Sequence, residues 1–461
     1  MNKTTIILTL VGTLALIGIG VFIARGCTPP DDIIIGDREE QFEEGATTIT
    51  MWINDFEEWN NQLNFKQRMD FNDNLEDGIQ LEQVLVAIND FDDRIRSARE
   101  TGNVPDIYMV SYGNLYREVR NGYAADLTDL LPQSAFDDLV DSAIYGVQFD
   151  GKYHAYPILL EPSTLLFYRK DLLMTYGETD TVPTRWDDFI DLLATIDGNT
   201  RGQGMRGIYP FDVPKGVALG WGSWGFQMAA TGGLALTEDW STSRIMDPGY
   251  EQLAGLWQSL YTNRYVPLSS DSYGEIINDL CTGKLVMTTA GSWSIATIIN
   301  LYPELIDQIG VMPMPTFDGN QEVSTATNGG WVYVISESSP NKEKAAEVIK
   351  YLVAGDPEVP LEYFVGAHFS KAASRHSVRE AIEALLPTQD LVPIAWIETV
   401  NDVAVRAPME PIYPWDVSVA VASLLELAAM GNAIAPELQK AHQDIQALIL
   451  ANNLANQNPR E

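Results

Sequence analysis

Cysteine, histidine and positive charge are all scarce in this sequence. Two cysteines in 461 residues, Cys27 and Cys281, cannot build a disulfide framework. Four scattered histidines, His154, His368, His376 and His442, fall at no metal-ligand spacing such as HExxH or CxxC, so no metal site is expected. The 29 basic residues face 64 acidic ones, for a formal charge of −35. A surface that negative repels phosphate backbones unless a local basic patch intervenes, and none is present, which excludes nucleic acid as a partner. Neither a phosphate loop GxxxxGKS/T nor a nucleophile elbow GxSxG occurs, nor any internal repeat or low-complexity tract, and no cofactor is expected. Asp70 to Gly78 begins like a calcium loop, yet Leu75 replaces the required Gly and Leu81 the bidentate Glu, so it reads as a solvated loop. Adjacent acids such as Asp92-Asp93 and Asp187-Asp188 are unavoidable among so many and say nothing about catalysis.

Hydrophobic residues at 46% and charged residues at 20% describe a chain that folds in water, and its length is too great for one compact core. The exception is the start. A basic n-region precedes an apolar run from Ile6 to Ala24, followed by Arg25-Gly26-Cys27. Two readings stay open: a signal peptide of lipoprotein type, with Cys27 as the lipid attachment point, or an uncleaved helix, since the run approaches the ~18–20 residues that span a bilayer. Arg25 departs from the lipobox, whereas both readings tether the body to the outer face of the cytoplasmic membrane. Residues 1–27 are thus a signal or anchor and 28–45, acidic and turn-rich, a flexible spacer.

Past the spacer the pattern is α/β. Thr47 to Ile53 is β-branched and apolar, a buried first strand, and Ile79 to Ile88 a second. Phe91, Ile95 and Ala98 recur at helical spacing, Gly102 closes that helix, and Pro105 to Val110 resumes as strand; strand, helix, strand is the parallel signature. Strands are predicted at Tyr153–Leu160, Thr164–Tyr168, Lys284–Thr288 and Gly330–Ile335. Helices are predicted from Thr184 as N-cap, at Asn341–Leu352, and at Asp416–Met430 and Glu437–Ala451.

Several segments stand out by their order along the chain: Thr48 to Ile53, Ser97 to Ile107 ending Gly-Asn-Val-Pro-Asp-Ile, Gly122 to Leu130, Gly151 to Glu161 with Leu165 to Leu172, Pro183 to Phe189, Gly283 to Met287 with Gly291-Ser-Trp293, Gly310 to Gly319, Gly329-Gly-Trp331 and Ser339 to Ala345. In that order they resemble one family, the extracellular solute-binding proteins of ABC transporters in the branch of the maltose-binding protein. The resemblance covers roughly Thr47 to Ala451. It implies a bilobal periplasmic-binding-protein-like fold of two discontinuous lobes joined by a hinge, 46–160 with 331–356 and 161–330 with 357–455. It further implies no catalysis, a monomer, and delivery of a captured carbohydrate to permease subunits of an importer.

Eleven Trp and 19 Tyr include several beside glycine or proline, where an exposed platform is more natural than a core position: Trp221 and Trp224, Trp293, Gly330-Trp331, and Trp415. A sugar ring stacks its C–H face on an indole and needs polar partners at its edge. Strand ends, where α/β clefts open, offer Trp52, Asn54, Asp55, Ser111 and Tyr112. By resemblance Glu161 is a ligand carboxylate, Trp293 a stacking aromatic and Arg406 a cleft residue, the last also readable as a surface salt bridge. Val110, Gly113 and Asn114 stand where maltose binders carry Trp and an Asp-Arg pair, so the maltose site is not reproduced. The competing readings are a binder of polyamine, peptide or metal complex, an exported glycoside hydrolase, and an anchored adhesion module.

Overall fold

The computed structural model describes residues 45–74, 78–269, 276–388 and 392–460. The N-terminal apolar run, Cys27 and all of the spacer before Gly45 lie outside the described residues.

β1 (Thr47–Asp55), β2 (Ile79–Ala87) and β3 (Ile107–Ser111) are parallel neighbours, linked by helices Glu58–Asn74 and Phe91–Thr101. The alternation read in β1 has a packing cause: Ile49, Met51 and Ile53 project to one fully buried face. Gly102 ends the second helix at φ 74°, a left-handed position where its missing side chain avoids strain.

The chain then forms a small hairpin, β4 (Gln148–Phe149) with β5 (Lys152–Tyr153), followed by β6 (Tyr156–Pro157), β7 (Glu161–Pro162) and β8 (Leu165–Arg169). The remaining strands are β9 (Met287–Ala290), β10 (Ile309–Met312), β11 (Asn328–Gly329) and β12 (Trp331–Ile335). They complete a five-stranded sheet of order β2-β1-β3-β12-β6, in which β12 runs antiparallel to both neighbours, and a three-stranded antiparallel sheet β10-β8-β9. Between the two lies the ladder of β7 and β11, pairing Gly329 with Glu161 and Asn328 with Pro162. Gly330, next to it, sits at φ 121°, and a Cβ there would meet the carbonyl oxygen of Leu159 at 2.5 Å.

Four sequence expectations are corrected. The strand expected over Tyr153–Leu160 is broken into short pieces, because Pro157 has no N–H to continue a ladder. Asp70–Asn74, read as loop, is the last turn of helix Glu58–Asn74, whose buried face is built largely from Asn60, Asn61, Asn64 and Gln67 and so gives no apolar periodicity to read. Thr184 is not an N-cap: the helix starts at Trp186, and the carbonyl of Thr184 accepts from Thr316 N–H at 2.8 Å instead. The strand placed at Lys284–Thr288 starts at Met287, after Leu285 has bridged to Tyr209.

Candidate ligand-binding cleft

The ends of the three parallel strands converge on one cavity of about 470 Å³. Phe56 and Glu57 follow β1, Ile88 follows β2, and Ser111 ends β3 beside its cross-strand partner Trp331. The opposite wall is built from a different part of the chain. Two short helices, Val217–Gly222 and Trp224–Thr231, present Trp221 and Trp224; the turn after β9 presents Trp293; and helix Trp415–Ala429 presents its first residue.

The indoles are paired. Trp221 stacks on Trp293 with centroids 5.6 Å apart and planes inclined by 24°. Trp224 and Trp415 meet edge to face at 6.3 Å, as do Phe56 and Trp331 at 5.1 Å. Trp224 Nε1 donates to Ser418 Oγ at 3.1 Å, which fixes this buried ring where it lines the cavity. Trp415 is 45% exposed, an unusual state for the largest apolar side chain and one expected of a ligand platform.

Polar groups cluster at the floor. Lys371 and Glu161 form an ion pair there, with the ammonium 6.0 Å from the centroid of the Trp59 ring. Burial pushes the Lys371 ammonium down to about 8, although Glu57 opposes the shift. Glu410 is buried as well. Its carboxylate accepts from Gly113 N–H at 3.1 Å and Trp221 Nε1–H at 3.2 Å. Burial still raises it to about 7, against those two donors and the charge of Arg460.

Of the residues expected from sequence, Ser111, Glu161, Trp221, Trp224, Trp293, Gly330, Trp331 and Trp415 line this cavity. Five others are placed elsewhere. Trp52 lies in the sheet with the Arg94 guanidinium 5.0 Å from its ring centroid, and Asn54 is buried beside Val86. Asp55 accepts from Asn61 Nδ2 at 2.7 Å, which ties it to the start of the first helix. Tyr112 is wholly buried against Gly146 and Met409, behind the lining residue Gly113. Arg406 is engaged by Asp402 and the Gln321 carbonyl, the salt-bridge alternative read from the sequence. Sequence reasoning missed Lys371, Glu410, Phe56, Glu57 and Asn60.

The chain matches the family model of bacterial extracellular solute-binding proteins over residues 68–366. It belongs to that family. Among solved structures it is similar to an ABC transporter solute-binding protein of Thermotoga lettingae bound with α-D-tagatose, at 20% identity and TM-score 0.74 over 88% of this chain and 100% of that one. It is also similar to the cyclic α-maltosyl-1,6-maltose binding protein of Arthrobacter globiformis, at 21% identity and TM-score 0.70 over 88% and 99%. The third is the GacH receptor of Streptomyces glaucescens, solved unliganded and with acarbose, at 17% identity and TM-score 0.73 over 89% and 99%. The solute-binding fold they share is the bilobal α/β one expected from the sequence, and the family is one of extracellular proteins.

Proposed function

We propose that this solute-binding protein captures a carbohydrate, an oligosaccharide rather than a single ring, and passes it to the permease subunits of an ABC importer. The observation that carries the reading is the pairing of indoles along one cavity. Trp221 with Trp293 and Trp224 with Trp415 offer two aromatic surfaces, enough for more than one sugar face. A volume of about 470 Å³ falls within the range of small-molecule pockets and has room for more than one ring. The tagatose, cyclic α-maltosyl-1,6-maltose and acarbose named with the three structural neighbours support carbohydrate as the class; tagatose is a single ring, so the preference for a longer ligand rests on the indole pairs.

The cleft favours holding a ligand over hydrolysing it. Two of its carboxyls are committed to protein partners, Glu161 to Lys371 and Glu410 to Gly113 and Trp221, whereas a glycosidase needs a pair facing the scissile bond. Binding works by population shift: ligand contacts to both walls favour a closed form about a hinge near β7, β11 and Gly330. The lobes are 46–160 with 331–356 and 161–330 with 357–455. The protein acts as a monomer outside the cytoplasmic membrane, tethered by residues 1–27.

The test is a titration of the protein with mono- and oligosaccharides, polyamines and peptides, read by tryptophan emission and thermal unfolding. A ligand that binds only the native state raises the unfolding temperature saturably. A response to an oligosaccharide establishes the reading; a response confined to polyamine or peptide replaces the ligand class.

A further inference from the structure

Glu410 is a buried acid held by segments distant in sequence. Its main chain is tied to β11, Glu410 N donating to the Asn328 carbonyl at 2.9 Å and Asn328 N to the Pro408 carbonyl at 2.7 Å. The same Asn328 sends its side-chain amide to the carbonyls of Ala404 and Ala407 at 2.6 and 3.0 Å, so the whole turn before Glu410 is fixed. Two glycines leave the room its side chain fills: a Cβ on Gly329 would meet Oε1 at 2.2 Å, and one on Gly113 would meet Oε2 at 3.1 Å. The two oxygens then reach opposite walls, Oε2 to Gly113 N–H just after β3, and Oε1 to the indole N–H of Trp221.

We propose that Glu410 is a positioning residue of the cleft: its carboxylate ties the Trp221 indole to the Gly113 backbone and thereby sets the angle of the Trp221–Trp293 platform. The proposal rests on the carbohydrate reading only insofar as that platform meets a sugar. An ionised carboxylate accepts at both oxygens. A proton on either one makes that oxygen a weaker acceptor for the N–H donor already pointing at it, so protonation loosens one side of the clasp. Burial makes the switch accessible near neutral pH.

The charged and titratable groups facing Glu410 are few. Arg460 lies behind it, its Nη1 donating to the Glu410 carbonyl at 3.5 Å, with Tyr145 under its guanidinium at 4.6 Å from the ring centroid. Tyr112 is adjacent and fully buried, its hydroxyl held protonated far above neutral pH by burial first and then by the Glu410 charge. Glu57, Glu161 and Lys371 line the same cavity. Lys371 also titrates above neutrality, so the effect assigned to Glu410 is the part that disappears when Glu410 alone is changed.

The experiment uses the full chain labelled with 5-fluorotryptophan, with the Trp221 fluorine resonance assigned through Trp221→Phe. The resonance should move between pH 6 and 8, and in Glu410→Gln the movement should shrink to the part that Lys371 contributes. A resonance indifferent to pH, or one that moves equally in Glu410→Gln, overturns the proposal. Glu410→Asp, which keeps the charge but shortens the reach, should still titrate while weakening ligand binding, and this guards against a misfolded Gln variant. The second arm uses maltotriose and cyclic maltooligosaccharides as probes. Any that bind the wild type should lose affinity about tenfold in Glu410→Gln, and the wild type should bind more weakly at pH 6 than at pH 8; equal affinity in the variant overturns the link to the platform. If no sugar binds the wild type, the carbohydrate reading falls, and the fluorine titration still decides whether Glu410 holds Trp221.

Discussion

The ammonium of Lys371 meets the carboxylate of Glu161 at the cleft floor, with only 5% and 7% of the two residues exposed. Two charges this deep have given up most of their hydration, and each depends on the other. Lys371→Met should therefore cost about 3–5 kcal/mol in chemical unfolding, by leaving the Glu161 carboxylate buried without compensation. The pair Glu161→Gln with Lys371→Met should recover most of that loss. A double variant as unstable as the single one would mean that the packing of the lysine stem, not its charge, matters.

The platform itself can be removed or displaced. Trp293→Ala should weaken oligosaccharide binding by about tenfold or more while changing the unfolding temperature little, since ligand platforms carry a large share of binding energy. Gly291→Ala tests the same surface from the other side. A Cβ at Gly291 would fall 1.7 Å from the Trp293 ring, so the indole must swing away, and titration should show a loss comparable to that of Trp293→Ala. A variant that unfolds would instead place Trp293 in the core.

Gly330 joins the crossing ladder to β12 at φ 121°, a conformation that side chains rarely tolerate. Gly330→Ala should destabilise the protein by about 1–3 kcal/mol in denaturant unfolding from this strain, and more if the contact with the Leu159 carbonyl is not relieved.

Acid–base linkage gives a signed expectation for Glu410. Its carboxyl titrates near 4.5 when unfolded and near 7 when folded, so between those values the native state holds the additional proton. Stability from this group is complete below pH 4.5 and is lost as pH rises to 7. Thermal unfolding followed across that window should show a downward limb in the wild type, and a shallower one in Glu410→Gln.

The parts of the molecule that speak through periodicity or through turn chemistry were legible from sequence. β1, β2 and β3 announced themselves by apolar runs, the second helix by Phe91, Ile95, Ala98 and its terminal Gly102, and the indole walls by tryptophans set beside Gly222, Gly291 and Gly330. The floor of the cleft was not legible. A glutamate in a chain of 64 acids looks like solvated surface, and nothing local to Lys371 distinguishes it from any exposed lysine. What buries them is tertiary: Glu410 is enclosed by segments as distant as Gly113, Trp221 and Asn328. One local sign existed, a lone charge between prolines in the otherwise uncharged stretch Ala407 to Pro414. Trp52 and Asn54 fell outside the cavity because the strand turns them into the sheet's packing, and only the residues just past its end, Phe56 and Glu57, reach the opening.

β12 fills the first sheet between β3 and β6, yet it is made long after either. A nascent chain that has completed Tyr156–Pro157 holds β3 with one edge uncovered, and it must wait for the entire second sheet and its helices to be synthesised before Trp331–Ile335 can close the gap. The contact order of the first half is therefore high, its folding slow, and its uncovered edge open to mispairing or chaperone capture in the interval. The half made first therefore cannot lock before the half made last has been translated.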